Sequence, residues 1–179
     1  DGRELVKAAE KLRPDVIVAD ISMPGLNGIE AVRQIKKVHQ EMKVVFLTMH
    51  PDIAYAANAF RAGASGYVLK HSAPDELVTA IRAALRGKTY VTPLIAGKLL
   101  HFYEERTPGQ GETISVLSSR EREVLQLLAE GHSVKEIAVI LNVSVKTAEY
   151  HKYRMVEILG LKTLAELIRY ALTQGISGP

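Results

Sequence analysis

The sequence predicts an α/β domain built on a doubly wound parallel sheet, followed by an all-α domain of four helices. Two observations carry this. Short apolar runs alternate with helical periods through the first half of the chain, and strict alternation of strand and helix implies a parallel sheet with helices on both faces. After Tyr90 the strand patterns stop, and helical segments follow that open on hydroxyl residues and close on glycines.

Taken in order, Leu5 to Leu12 reads as a helix ended by Pro14. Val16-Ile17-Val18-Ala19 is a continuous apolar run, the mark of a strand buried on both faces. Ile29, Val32, Ile35 and Val38 recur at helical spacing, and Val44-Val45-Phe46-Leu47 is a second buried strand. Ala54 to Ala62 is a helix closed by Gly63, and Tyr67-Val68-Leu69 is the third strand. Pro74, Asp75 and Glu76 open the next helix, where a fixed φ and the macrodipole favour proline and acids; it runs to Arg86 and stops at Gly87.

Residues 93–106 read as one amphipathic helix, and Thr107 to Thr113 as a linker by proline and glycine content. Four helical segments begin near 119, 134, 145 and 164. Ser118 with Glu121, Ser133 with Glu136 and Thr163 with Glu166 have the spacing of capping boxes. Gly131, Gly160 and Gly175 stand where C-caps belong. The expected division is a first domain over 1–88, a helical linker over 89–113 and a second domain over 114–179.

Composition bounds the function. An apolar share of 47% in 179 residues suits packed globular material rather than disorder. No apolar run approaches the roughly 20 residues of a membrane-spanning helix, and the start does not read as a signal peptide. With no cysteine there is no disulfide framework and no thiolate zinc site, which fits a reducing cytoplasm. The net charge of +3 is too small to announce a nucleic-acid binder, so the case rests on pattern.

In an open parallel sheet, ligands and chemistry gather at the carboxyl ends of the strands. Asp20 ends the first strand, Thr48 the second and Lys70 the third. A carboxylate can act as a nucleophile toward phosphorus and form an acyl phosphate. A hydroxyl can hydrogen-bond a phosphoryl oxygen, and an ammonium can neutralise its charge. Singly, each residue is ordinary: an aspartate after a strand is most often a cap, and a tyrosine such as Tyr67 often only a core aromatic. Their joint placement on three successive strand ends is what points to this chemistry.

At these residues the sequence resembles the flavodoxin-like receiver domain of bacterial response regulators. The run from Pro14 through Asp20 and Pro24 to Gly28 resembles the family's phosphoacceptor strand and the loop after it. Phe46-Leu47-Thr48, and Gly63 through Tyr67 to Lys70, resemble the two strands that follow. The resemblance implies that Asp20 takes a phosphoryl group from a sensor histidine kinase. It implies as well that Thr48 and Tyr67 form a switch pair and that Lys70 contacts the phosphoryl group. The family also has a strand, a helix and a strand before the helix at Leu5, with an acidic pair for Mg²⁺. This chain lacks them, a missing βαβ unit of roughly 30 residues or more. Mg²⁺ is therefore expected to be weakly held or absent here, with Asp20 and the Ser22 carbonyl as its remaining ligands.

Residues 116–175 resemble the four-helix DNA-binding domain of the NarL/FixJ, or LuxR-type, class. The matching runs are Leu117 to Gly131, Ser133 to Ala138, Leu141 to Thr147 with His151, Leu159-Gly160, and Ala165 to Leu167. Ile137-Ala138 on one helix and Val145, Ala148, Met155 and Leu159 on the next form facing apolar stripes, joined by the tight turn Leu141 to Ser144, as a helix-turn-helix requires. Burying that stripe turns Lys146, Tyr150, Tyr153, Arg154 and Glu157 outward. Lys146, Thr147, Tyr150, Lys152, Tyr153 and Arg154 are the expected DNA-binding residues, with Lys152 snorkelling to a phosphate. Glu149 stands where the family often has a basic residue, and His151 reads equally well as a packed histidine or a DNA ligand.

The resemblance implies a phosphorylation-switched transcription regulator, not an enzyme. Its implied partners are double-stranded DNA, a sensor histidine kinase, RNA polymerase and a second copy of the chain on DNA, with no membrane. The alternative is a phosphorylation-independent regulator whose first domain serves dimerisation or ligand sensing. A flavodoxin-like enzyme is the third reading; it lacks a glycine-rich phosphate loop and, by sequence, any His or Glu base near Asp20.

Overall fold

In the computed structural model, which describes residues 1–72, 74–104 and 116–176, the first half folds as strand and helix in alternation. The order is α1 (Gly2–Leu12), β1 (Val16–Ala19), α2 (Gly28–Val38), β2 (Lys43–Thr48), α3 (Ile53–Arg61), β3 (Gly66–Leu69), α4 (Pro74–Leu85), β4 (Tyr90–Val91) and α5 (Pro93–Glu104). All strand pairs are parallel and the sheet order is β1-β2-β3-β4. The register sets Ala19 beside Phe46 and Thr48 beside Leu69, so the three strands end at one edge with Asp20, Thr48 and Lys70 together.

Helices cover both faces, as the alternation predicts. On one face Ile17, Ala19, Val44, Phe46, Tyr67 and Leu69 pack with α1, α2, α3 and α5. On the other, Val45 and Val68 pack against Ala80 and Ala84 of α4. Two small residues on α4 let it lie close to the strands. β1 is an edge strand in this chain, and Val18 on it is 41% exposed.

Three features differ from the sequence reading. β4 is a fourth strand of only two residues, too short to leave a periodicity. The helix expected over 93–106 is α5, described to Glu104, and it packs rather than spaces: Ile95 and Leu99 belong to the same core as Phe46 and Tyr67. The first compact unit accordingly runs Asp1–Arg106 instead of ending at 88, and the second is Thr107–Pro179. The linker expected over Thr107 to Thr113 lies outside the described residues.

The second unit is helical: α6 (Ser119–Ala129), α7 (Val134–Ile140), α8 (Val145–Ile158) and α9 (Leu164–Thr173). All three capping boxes form, at Ser118 with Glu121, Ser133 with Glu136 and Thr163 with Glu166. Gly131, Gly160 and Gly175 take the left-handed φ of C-cap glycines. Leu117, Leu125, Ile137, Ala138, Ala148, Met155 and Leu167 close one core. Val145, expected in the buried stripe, is instead 41% exposed, because the first residue of α8 projects beyond the turn.

Candidate functional site

The strand-end residues meet as the register requires. The Lys70 ammonium donates to Asp20 Oδ2 at 2.5 Å, while Asp20 Oδ1 accepts from the backbone N–H groups of Ile21 (2.7 Å) and Ser22 (3.4 Å). Both side chains stay partly in water, Asp20 28% and Lys70 39% exposed. Thr48 is fully buried; its hydroxyl oxygen accepts from the His50 N–H at 3.3 Å. Tyr67 is also buried and donates its hydroxyl to the His50 carbonyl at 2.7 Å. Burial first, then the charge of Asp52, pushes the Tyr67 phenol well above its usual range, so it stays a protonated donor.

His50 is the residue that sequence reasoning missed. Its Nε2 lies 2.6 Å from the Ser22 hydroxyl, and its ring stacks on Tyr55 with centroids 4.2 Å apart. The reading that no histidine stands near Asp20 is thus corrected. His50 follows Thr48 by two residues, as Ser22 follows Asp20, and adjacent parallel strands bring equal offsets together; that was the available signal. Ser22 is held by this contact.

Mg²⁺ needs near-octahedral oxygen ligation, in which several waters remain and one or two carboxylates hold the ion. Among the described residues no three His, Asp or Glu side chains converge on a point that could hold a metal. Asp20 supplies one carboxylate, with one oxygen already facing Lys70 and the other facing backbone amides. The residues present do not by themselves fit a Mg²⁺ cage.

In the helical unit, Ser144 caps α8 by accepting from the Thr147 N–H, and its hydroxyl also lies 2.8 Å from that of Thr147. Ala148 and Met155 are buried, and Lys146, Tyr150 and Tyr153 are exposed on the opposite face. Lys152 is half-buried, with its ammonium 5.1 Å from the centre of the Tyr153 ring, a cation–π contact. Tyr150 meets the half-buried His151 edge to face at 5.7 Å. Arg154 is turned partly inward: its Nη1 lies 3.2 Å from Oε1 of the buried Glu121. Glu149 is exposed beside Tyr150.

Comparison with known proteins matches both halves. Residues 1–82 match the response regulator receiver domain, and residues 115–171 match the bacterial regulatory proteins of the luxR family. The oxygen regulatory protein NreC of Staphylococcus carnosus is 39% identical over 178 residues, 96% of this chain and 82% of that protein. A LuxR-family two-component response regulator from Aurantimonas superposes with a TM-score of 0.56 at 41% identity, over 59% of this chain and 75% of that one. RcsB of Salmonella enterica serovar Typhimurium, bound to a promoter with the phosphomimetic BeF3⁻, superposes with a TM-score of 0.54 at 31% identity, over 99% of this chain and 83% of that one. Two family matches in sequence order, on the two folds described, leave one conclusion: the chain belongs to the LuxR-type DNA-binding response regulators, transcription regulators rather than enzymes.

Proposed function

We propose that Asp20 is the phosphoacceptor and that its phosphorylation by a sensor histidine kinase tunes DNA binding through α8. The observation that carries this is the Lys70–Asp20 contact across two strand ends, with Thr48 on the strand between. A carboxylate oxygen of Asp20 attacks the phosphorus of a phosphohistidine; the O–P bond forms as the P–N bond breaks, and the imidazole leaves with the electron pair. The ammonium of Lys70 then faces phosphoryl oxygens, and the Thr48 hydroxyl donates to one of them. That would draw Thr48 away from the His50 N–H, and His50 holds Tyr67, so the two switch residues respond together. The charge change biases a two-state element. If Mg²⁺ binds, Asp20 and the Ser22 carbonyl are the groups that would hold it, weakly with one carboxylate.

On the DNA side, Lys146, Thr147 and Tyr150 near the start of α8 reach base edges in the major groove of double-stranded DNA. Lys152 and Tyr153 lie toward phosphates, while Arg154, expected there too, is turned to Glu121. That the RcsB relative is bound to a promoter supports DNA binding by this unit. Leu164 and Leu172 on α9 are exposed, which supports pairing with a second copy on DNA, with half-sites about one helical turn apart. RNA polymerase is the partner a promoter-bound regulator acts on, and the cytoplasm the compartment. Among the described residues no helix is long and apolar enough to cross a membrane.

Incubation with acetyl phosphate and Mg²⁺, followed by peptide mass mapping, tests the first part. Label is expected on the peptide holding Asp20, slowly, and none in Asp20→Asn. Equal labelling of the variant would refute the assignment.

A further inference from the structure

Arg154 was expected to meet a DNA phosphate, yet its guanidinium faces the protein. Its partner Glu121 is only 1% exposed at the side chain, while Arg154 is 48% exposed. One oxygen of that carboxylate, Oε2, accepts from the Ser118 N–H at 2.7 Å and closes the capping box of α6. The other, Oε1, receives no aligned hydrogen bond and has the Arg154 charge 3.2 Å away. A single buried carboxylate thus joins the first turn of α6 to the middle of α8. A neighbouring clamp acts on the turn before α8: Arg120 bridges Glu123 (2.9 Å) and the Leu141 carbonyl at the C-cap of α7 (2.6 Å). The start of α6 therefore grips the helix-turn-helix at its turn and at its second helix.

We infer that Arg154 is a positioning residue: through Glu121 it sets how α8 stands on α6, and it contributes no phosphate contact of its own. The inference deepens the proposed reading of α8 and rests on it. Removing the arginine leaves a buried carboxylate without its counter-charge, which costs more than an exposed pair returns. The helix relieves this by shifting, and base-edge contacts at Lys146 and Tyr150 suffer because they tolerate little displacement. A phosphate contact behaves differently, since each one lost lowers the slope of log K against log salt by about 0.9.

The test uses the 179-residue chain and a duplex enriched by that chain from a random-sequence library, with a scrambled duplex as the non-specific probe. Arg154→Ala should weaken binding to the selected duplex by roughly tenfold, leave the scrambled duplex bound as before, and keep the salt slope. Glu121→Gln, which alters nothing on the outer face of α8, should reproduce the loss, and the double variant should be no worse than either single one. Arg154→Lys should recover much of the affinity by restoring the charge. A slope smaller by about one in Arg154→Ala, on both duplexes, makes Arg154 a phosphate contact and overturns the inference. Wild-type binding by Glu121→Gln also overturns it. If Glu121→Gln fails to fold by circular dichroism, the Arg154→Ala slope decides alone. Failure of the parent to enrich any duplex refutes the α8 reading itself, and this inference with it.

Discussion

Among the described residues, the ion pairs Lys70–Asp20 and Arg154–Glu121 stand beside the residues proposed to act in each unit, and the two are built oppositely. Lys70 and Asp20 both stand partly in water at the strand ends, with the Asp20 oxygen that faces Lys70 bound to no backbone group. Arg154 meets a carboxylate sealed inside the helical unit and already committed to a helix cap. An exposed pair contributes about 0–1 kcal/mol to stability, so its members are free to change partners when a new charge arrives. A pair with one buried member punishes separation, so it keeps its geometry. The first suits the phosphoryl acceptor proposed for Asp20, the second the fixed orientation proposed for α8.

The contrast gives a ranked set of outcomes. Arg154→Ala should destabilise the helical unit most, by about 1–3 kcal/mol, because the buried Glu121 carboxylate loses its counter-charge; at about 4–8 °C per kcal/mol for so small a unit, thermal melting resolves it. A comparable loss in the first unit should follow Thr92→Val. The Thr92 hydroxyl accepts from the Leu69 N–H at 3.2 Å and donates to Glu76 at 2.9 Å, so valine orphans a buried amide at about 1–2 kcal/mol. Thr92→Ser should restore most of it, and denaturant unfolding of both variants measures the difference.

Ser133→Ala should cost less, and its cost should depend on pH. Hydrogen bonds from the Ser133 hydroxyl and backbone hold the exposed Glu136 carboxyl below its ordinary value. A depressed carboxyl stabilises the folded state above its unfolded pKa, and that contribution is lost as pH falls through the folded pKa. The difference between variant and parent should therefore be largest at neutral pH and narrow in acid to the cost of the lost cap, which melting curves at several pH values would track. Lys70→Ala should be smallest, under about 1 kcal/mol, while abolishing any phosphate-driven change in DNA binding. A large stability loss there would erase the distinction between the two pairs.

Much of this was legible in the sequence, for a physical reason. Capping boxes and C-cap glycines act within a few residues, so Ser118, Ser133 and Thr163 mark α6, α7 and α9 directly. The Asp20, Thr48 and Lys70 cluster was legible because parallel strands in register carry their ends to one edge. What stayed hidden were side-chain meetings between distant segments. His50 reaching Ser22, Thr92 bridging Leu69 and Glu76, and Glu121 holding Arg154 all depend on how finished elements pack. The packing of α5 was hidden for the same reason: its apolar stripe was visible, but not the surface it would cover.

In the proposed function, charge at Asp20 governs what α8 does on DNA. The direct measurement is the affinity of the chain for its selected duplex before and after treatment with acetyl phosphate and Mg²⁺, with label at Asp20 quantified in the same sample. Affinity should change in proportion to label in the parent, and Asp20→Asn should show neither. An affinity unmoved by full labelling, or a change of equal size in the variant, would contradict it.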